Sequence, residues 1–175
     1  MNEILNRLKI WRKVRGLDTS QGFKFELDKQ VSFLTEEITE YLRAKDDDEK
    51  IDALCDLTIF SVNAINGIDN DYSDIFSSTY CMPPRNYHIA NIIDRIPYVF
   101  KCKSNGKYSF IDIIEMCKYM IDNMNYDYFK CMDETLKEIE SRKGAFNSES
   151  GKWEKFKDED SKKLWYKADF SKAKK

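Results

Sequence analysis

Carboxylates cluster in two neighbouring stretches of the chain and are its side chains best suited to chemistry. The first stretch is Glu36-Glu37-x-x-Glu40, and the second holds Asp52 and Asp56. On a helix, Glu37 and Glu40 lie within about 60° of each other, whereas Glu36 points further outward. Asp52 and Asp56 lie within about 40° of each other. The spacing therefore predicts two pairs of carboxylates, each pair on one stripe of a helix.

The second pair lies in a segment that is otherwise apolar on every side, which is the pattern of a fully buried helix. Bare anions are costly to bury there, and like-charged neighbours raise each other's pKa. A hard divalent cation relieves both costs, and an all-oxygen ligand set suits Mg²⁺ or Mn²⁺ rather than zinc. The predicted metal ligands are Glu37, Glu40, Asp52 and Asp56.

Carboxylates that hold a metal can support the hydrolysis of phosphate anhydrides. The metal bridges phosphate oxygens, and an adjacent carboxylate orients the attacking water. Glu36 and Glu37 are both candidates for that catalytic base, and the sequence does not choose between them. A competing interpretation is that the glutamates form a solvated helix face and that the two aspartates pair with lysine or arginine.

Helices must position these side chains, because glycine and proline are scarce, at 6 and 3 of 175 residues. A composition that is 42% hydrophobic and 14% aromatic is ample for one core. The periodicity of apolar residues predicts an all-α helical bundle. The expected helices cover 3–15, a segment ending at about 44, about 49–66, 87–100, and one or two more within 110–140.

The two acidic stretches together resemble the MazG-like, all-α nucleoside triphosphate pyrophosphohydrolase superfamily. The motif of that family is E-E-x-x-E followed, after a spacer, by E-x-x-D. Twelve residues separate Glu40 from Ala53-Leu-Cys-Asp56, so Ala53 stands where the family has Glu. The Asp52-Ala-Leu-Cys-Asp56 stretch resembles the D-A-L-A-D form of one branch, in which the earlier Asp replaces the Glu. An alternative alignment, Glu49-x-x-Asp52, shortens the spacer to eight residues.

The resemblance covers about 1–66 and 130–175, where the second part is similar to the tail of phage-encoded members. It implies a bundle of the all-α NTP pyrophosphatase type, assembled as a homodimer or homotetramer. It also implies Mg²⁺-dependent cleavage of a nucleoside triphosphate between its α and β phosphates, giving the monophosphate and pyrophosphate. The metal role passes to the same four carboxylates, and the expected location is the cytoplasm, that of the host for a phage protein.

Substrate contacts are predicted on the same stripes and in the tail. Gln30 lies on the Glu37 stripe and Asn63 on the Asp56 stripe, so either amide can face a base or a sugar. The lysines predicted to clamp the triphosphate are Lys152, Lys155 and Lys167. We expect 1–145 to form the helical catalytic domain and 146–175 to form a mostly irregular, lysine- and aromatic-rich extension packed on it.

Two other functions compete with hydrolysis. The basic and aromatic tail is typical of proteins that bind single-stranded nucleic acid or a protein partner, although a net charge of −2 argues against nucleic acid. Ala53 also makes an inactive helical scaffold credible.

The charged N-terminus and the lack of a long apolar run predict neither a signal peptide nor a membrane span. The five cysteines and His88 are expected to be structural.

Overall fold

The computed structural model describes residues 1–22, 24–68, 70–77, 83, 85–101, 106–147, 149 and 152–175. The side chains of Lys101, Phe146 and Lys152 are outside this description, so the predicted substrate contact of Lys152 lies outside the described residues. Helices dominate the described chain, and its strands form one two-stranded sheet. The predicted all-α class is therefore confirmed.

Three N-terminal helices begin and end close to the predicted limits. They are α1 (Asn2–Val14), α2 (Leu27–Arg43) and α3 (Asp47–Ile68). Only three residues connect α2 to α3, and the two helices pack side by side as antiparallel neighbours. This seam between α2 and α3 carries both acidic stretches of the sequence.

Helix α3 is the core of the bundle. Its side chains are buried on most of its circumference by α2, by α6 (Gly106–Asn123) and by α7 (Tyr128–Ser141). Among the described residues, α3 alone is long and apolar enough to span a membrane, but most of it is buried inside the protein, as in the core helix of a bundle. Asp52 and Asp56 lie on the one half-buried stripe of this helix.

The segment predicted as one helix over 87–100 contains two, α4 (Ile89–Arg95) and α5 (Tyr98–Lys101). The break falls at Pro97, which has no N–H to donate to a carbonyl one turn earlier. The exposed His88 precedes α4, and its backbone N–H donates to Asn91 Oδ1 at 2.9 Å. His88 thus lies at the start of a helix.

The C-terminal extension is more regular than predicted. Strands β1 (Gly144–Asn147) and β2 (Lys152–Lys155) form an antiparallel hairpin, followed by the short helix α8 (Glu159–Lys163) and a 3₁₀ turn over Phe170–Ala173. At Gly144 an added Cβ would lie 2.3 Å from an atom of the Trp153 ring, so only glycine fits there. Such cross-strand contacts are not visible in the composition of the segment, which suggested an irregular tail.

Aromatic and charged side chains fix the extension to the bundle. The Arg15 guanidinium lies between the rings of Trp11 and Trp153, 4.6 and 4.4 Å from their centroids. Arg15 also donates to the carbonyls of Ile139 and Arg142 at the end of α7, at 3.2 and 3.1 Å. The hairpin and the end of α7 are therefore held by one side chain of α1.

Three cysteines of the described chain, Cys55, Cys117 and Cys131, are free thiols in the core. The prediction that cysteines act as small buried hydrophobes is confirmed for these three. Cys81 and Cys102 lie outside the described residues.

Candidate metal and phosphate site

The acid cluster, defined as Glu37, Glu40, Asp52 and Asp56, lies along the seam between α2 and α3. Glu37 is 8% exposed, the two aspartates are half-buried, and Glu40 is exposed. Helical spacing on each element places its two carboxylates on the stripe that faces the other helix. The structure thus brings the four predicted ligands to one seam.

Burial and mutual repulsion make three of these carboxyls weak acids. Burial, followed by the charges of Asp56 and Glu40, raises the pKa of Glu37 to about 8. Burial and Asp52 raise the pKa of Asp56 to about 7. The pKa of Asp52 rises to about 6 through burial and Glu138, against the opposing effect of Arg142. The carboxylates of the two helices therefore act on each other electrostatically, and a cation between them would favour their ionised forms.

Within the described part of the chain, none of the four carboxylates receives a hydrogen bond or an ion pair. Buried carboxylates normally have such partners, because an unpaired buried charge is costly. Their oxygen donors match the preference of Mg²⁺ and Mn²⁺. No group of three acidic, histidine or cysteine side chains among the described residues is close enough to hold a metal ion in this conformation. The chemistry of the donors fits a divalent cation, and their side chains must draw together to bind one.

Glu36 lies at the outer edge of the cluster, where its charge adds to the raised pKa of Glu37. It is exposed on the outer face of α2, where it lines a shallow groove with Thr35, Thr39 and Glu40. The predicted outward direction of Glu36 is confirmed. Of the two candidates for the base, Glu37 is the one that shares the electrostatics of Asp52 and Asp56.

A cationic side of the site comes from α7 and the C-terminal extension. The Arg142 Nη2 atom donates to Glu138 Oε1 at 2.5 Å, and Arg142 acts on both aspartates by lowering their pKa. The exposed Lys167 acts on Asp52 in the same direction. The extension is positioned for this by Glu138, which accepts the backbone N–H of Ala168 at 2.8 Å.

Lys155 extends the cationic side on strand β2. Burial lowers its pKa, and the neighbouring Arg142 lowers it further. The Trp165 ring lies under both cations, 5.6 Å from Lys155 Nζ and 5.8 Å from Arg142 Cζ. Arg142 Nε and Trp165 Nε1 are buried N–H donors that have no partner among the described residues. Arg142 therefore brings donors and positive charge to the aspartates, and Lys155 lies next to Arg142.

The two predicted substrate amides have internal partners. Gln30 is buried, and its Nε2 donates to the Phe60 carbonyl at 2.8 Å. Asn63 Oδ1 accepts from Arg12 Nη1 at 2.9 Å, and Arg12 Nη2 donates to the Tyr72 hydroxyl at 2.9 Å. These bonds fix the amide orientations, so that Gln30 retains its oxygen and Asn63 its NH₂ for any further partner.

Three residues of the site were missed by the sequence analysis: Arg12, Glu138 and Arg142. A signal existed for the last two, because Glu138 and Arg142 are four residues apart and form an i,i+4 pair on α7. Such pairs are common on helix surfaces, and nothing local indicates that this one borders Asp52. Arg12 has no local signal, since its partners lie 51 and 60 residues away.

Comparison with family models, with curated proteins and with solved structures finds no match to this chain.

Proposed function

We propose that this chain is a magnesium-dependent hydrolase that cleaves nucleoside triphosphates to monophosphate and pyrophosphate. The observation that carries the proposal is the pairing of two opposite charges at one place. An acid cluster without internal cation partners in the described chain lies next to Arg142 and Lys167, which act on the same aspartates. Metal-bridged phosphates need both kinds of group.

The roles follow from position and burial. Glu37, Glu40, Asp52 and Asp56 would hold Mg²⁺, which supplies charge neutralisation and polarises the phosphate oxygens. Asp52 takes the part of the Glu that is absent at Ala53, because it lies one helical turn from Asp56. The cationic side would bind phosphate oxygens that the metal does not reach.

We infer that Glu37 accepts the proton of the attacking water. Glu37 would do so as the ionised carboxylate, the form that a bound cation beside it would favour. The water oxygen bonds to the α-phosphorus as the bond from that phosphorus to the oxygen bridging it to the β-phosphorus breaks. Pyrophosphate is thereby released, and the monophosphate keeps the oxygen of the water. Glu36, exposed on the outer face of α2, is the weaker candidate for this step.

Single-stranded nucleic acid binding by the tail is the less favoured function. Three of its aromatic side chains are engaged within the protein: Trp153 lies on Arg15, Trp165 lies under Arg142 and Lys155, and Phe170 is buried. Phe156 is 45% exposed. Base stacking needs exposed aromatic faces. The extension therefore contributes more to closing the bundle than to presenting rings to a nucleic acid.

A nucleotide panel tests the proposal. The purified chain is incubated with Mg²⁺ and each common ribo- and deoxynucleoside triphosphate, and the products are separated by ion-exchange chromatography. We expect monophosphate and pyrophosphate from at least one nucleotide, and loss of both with Glu40→Ala or Asp56→Ala. Asp48→Asn, an exposed carboxylate on the first turn of α3, is the matched control.

Three other outcomes would reject the proposed pyrophosphohydrolase activity. Release of orthophosphate indicates a phosphatase or an ATPase. If no nucleotide in the panel is hydrolysed, the proposal that the chain is an enzyme is rejected. Salt-sensitive binding of an oligonucleotide that Asp56→Ala leaves unchanged would favour the binding protein instead.

A further inference from the structure

A second concave site, the α4–α6 pocket, lies in the part of the chain that the family resemblance does not cover. It has a volume of about 450 Å³ and lies between the loop before α4, the helices α4 and α5, and one side of α6. Its floor is Met116, which is 2% exposed. Pockets of this size hold a mononucleotide or a ligand of similar volume.

The cations of the pocket have spare hydrogen-bonding capacity. Arg85 is exposed, and its side chain makes no hydrogen bond or ion pair within the described part of the chain. Arg95 forms a single ion pair there, from Nε to Asp112 Oδ2 at 3.3 Å. Two guanidinium groups can therefore present N–H donors to one anionic group, and guanidinium matches phosphate in a forked geometry.

Aromatic side chains form the walls. Tyr98 is 47% exposed, and the Arg95 guanidinium lies 5.9 Å from the centroid of its ring. Tyr87 is buried, is packed against Tyr119 with ring centroids 5.7 Å apart, and donates its hydroxyl to the Pro83 carbonyl at 2.9 Å. Tyr87 is therefore a fixed wall, whereas the Tyr98 ring is exposed enough for a planar ring to pack against it.

An acceptor completes the set. Asp94 lines the pocket, and its carboxylate has no hydrogen bond or ion pair within the residues that the structure describes. An ionised carboxylate only accepts hydrogen bonds, so Asp94 can bind a ligand with hydroxyl or amino donors but not a simple anion. The required ligand thus combines an anionic group, a planar ring and hydrogen-bond donors.

We infer that the α4–α6 pocket binds a nucleoside monophosphate, with the phosphate on Arg85 and Arg95 and the base on Tyr98. None of its lining residues belongs to the acid cluster, whose electrostatic partners lie in α2, α3, α7 and the C-terminal extension. The site does not depend on hydrolysis, so it stands whether or not the chain is an enzyme.

Calorimetric titration of the full chain with AMP, in EDTA to remove divalent ions, tests this inference. We expect binding that Arg85→Ala weakens by about tenfold or more and Tyr98→Ala by about fivefold or more. Tyr98→Phe keeps the ring and should retain binding. Because Arg85 and Tyr98 are exposed, these variants should fold, which circular dichroism checks.

Arg142→Ala separates this pocket from the cationic side of the acid cluster. We expect Arg142→Ala to leave AMP binding in EDTA unchanged. The inference is overturned if Arg142→Ala removes binding while Arg85→Ala does not, or if AMP does not bind at about 1 mM. It is also overturned if inorganic phosphate binds as tightly as AMP and Tyr98→Ala has no effect, since the pocket would then be a plain anion site.

Discussion

At one end of the seam between α2 and α3, Asp52 and Asp56 have no hydrogen-bond partner in the described chain, whereas at the other end Asn63 is bonded to Arg12. Both ends lie on one half-buried stripe of α3, and the stacked rings of Phe33 and Phe60 lie between them, with centroids 4.9 Å apart. Folding has thus given the Asn63 amide a partner and left the two aspartates at the acid end without one in the described chain.

The presence or absence of an internal partner distinguishes structural from functional polar residues on this helix. A buried polar group with a good internal partner contributes to stability, and its removal destabilises the protein. A group without such a partner costs stability and persists where a ligand compensates for the cost. The two ends of the seam should therefore respond to substitution in opposite ways.

The largest expected effect is loss of catalysis at the acid end. Asp56→Asn removes a predicted metal ligand and should lower kcat by about a thousandfold, because a bound metal supplies several kcal/mol of transition-state stabilisation. The measurement is pyrophosphate release at saturating nucleotide and Mg²⁺. Asp48→Asn serves as the control, and equal rates for Asp56→Asn and the parent chain would contradict the assignment.

Next in size is a loss of stability at the amide end. Arg12→Met leaves Asn63 Oδ1 and the Tyr72 hydroxyl without their donors and should lower the free energy of unfolding by about 3 kcal/mol. Urea unfolding followed by circular dichroism measures this. Arg7→Ala is the matched control on α1, since its partly exposed pairs with Asp133 and Glu140 should contribute only about 1 kcal/mol. If both variants lost the same free energy of unfolding, the buried Arg12 bonds would contribute no more than the partly exposed pairs of Arg7.

A smaller effect is a pH dependence of stability that originates at the acid end. The pKa values of Glu37 and Asp56 are raised in the folded state, so the native protein binds more protons than the unfolded chain above their ordinary pKa. The contribution of these two groups to stability is therefore fully present below their ordinary pKa and is lost as pH rises through about 7 to 8. Without divalent ions, we expect unfolding to require about 2 kcal/mol less at pH 8 than at pH 5.

Asp56→Asn should flatten this profile and should itself be more stable than the parent chain at about pH 8. Added Mg²⁺ should restore stability to the parent chain there and not to Asp56→Asn, as expected when a ligand binds only the folded state. If Asp56→Asn left the dependence of stability on pH unchanged, the ionised Asp56 carboxylate would not destabilise the folded protein.

The smallest effect concerns the cationic side of the acid end. Lys155→Met should raise the KM for the triphosphate about tenfold, since one charge-assisted contact is lost. Lys163→Met, on the exposed face of α8, is the matched control and should change nothing. An unchanged KM for Lys155→Met would place the phosphates away from strand β2.

Local patterns predicted most of the bundle. Apolar periodicity gave α1, α2 and α3 to within a few residues, because an amphipathic or fully apolar pattern leaves few other ways to bury the surface. The single helix expected over 87–100 was wrong only at Pro97, and the hairpin was missed because its strands are short and pair through Trp153 and Gly144. Cross-strand contacts of that kind have no periodic signal.

For the site, residue spacing predicts which side chains share a helix face, because helical geometry fixes that relation within one element. These pairs are Glu37 with Glu40 and Asp52 with Asp56. Which residues lie opposite these faces depends on the tertiary structure. Arg142, Glu138 and Lys167 act electrostatically on Asp52, and Arg12 donates to Asn63, although these residues are far apart in the chain. Partners across such distances depend on how helices pack, which no local spacing encodes.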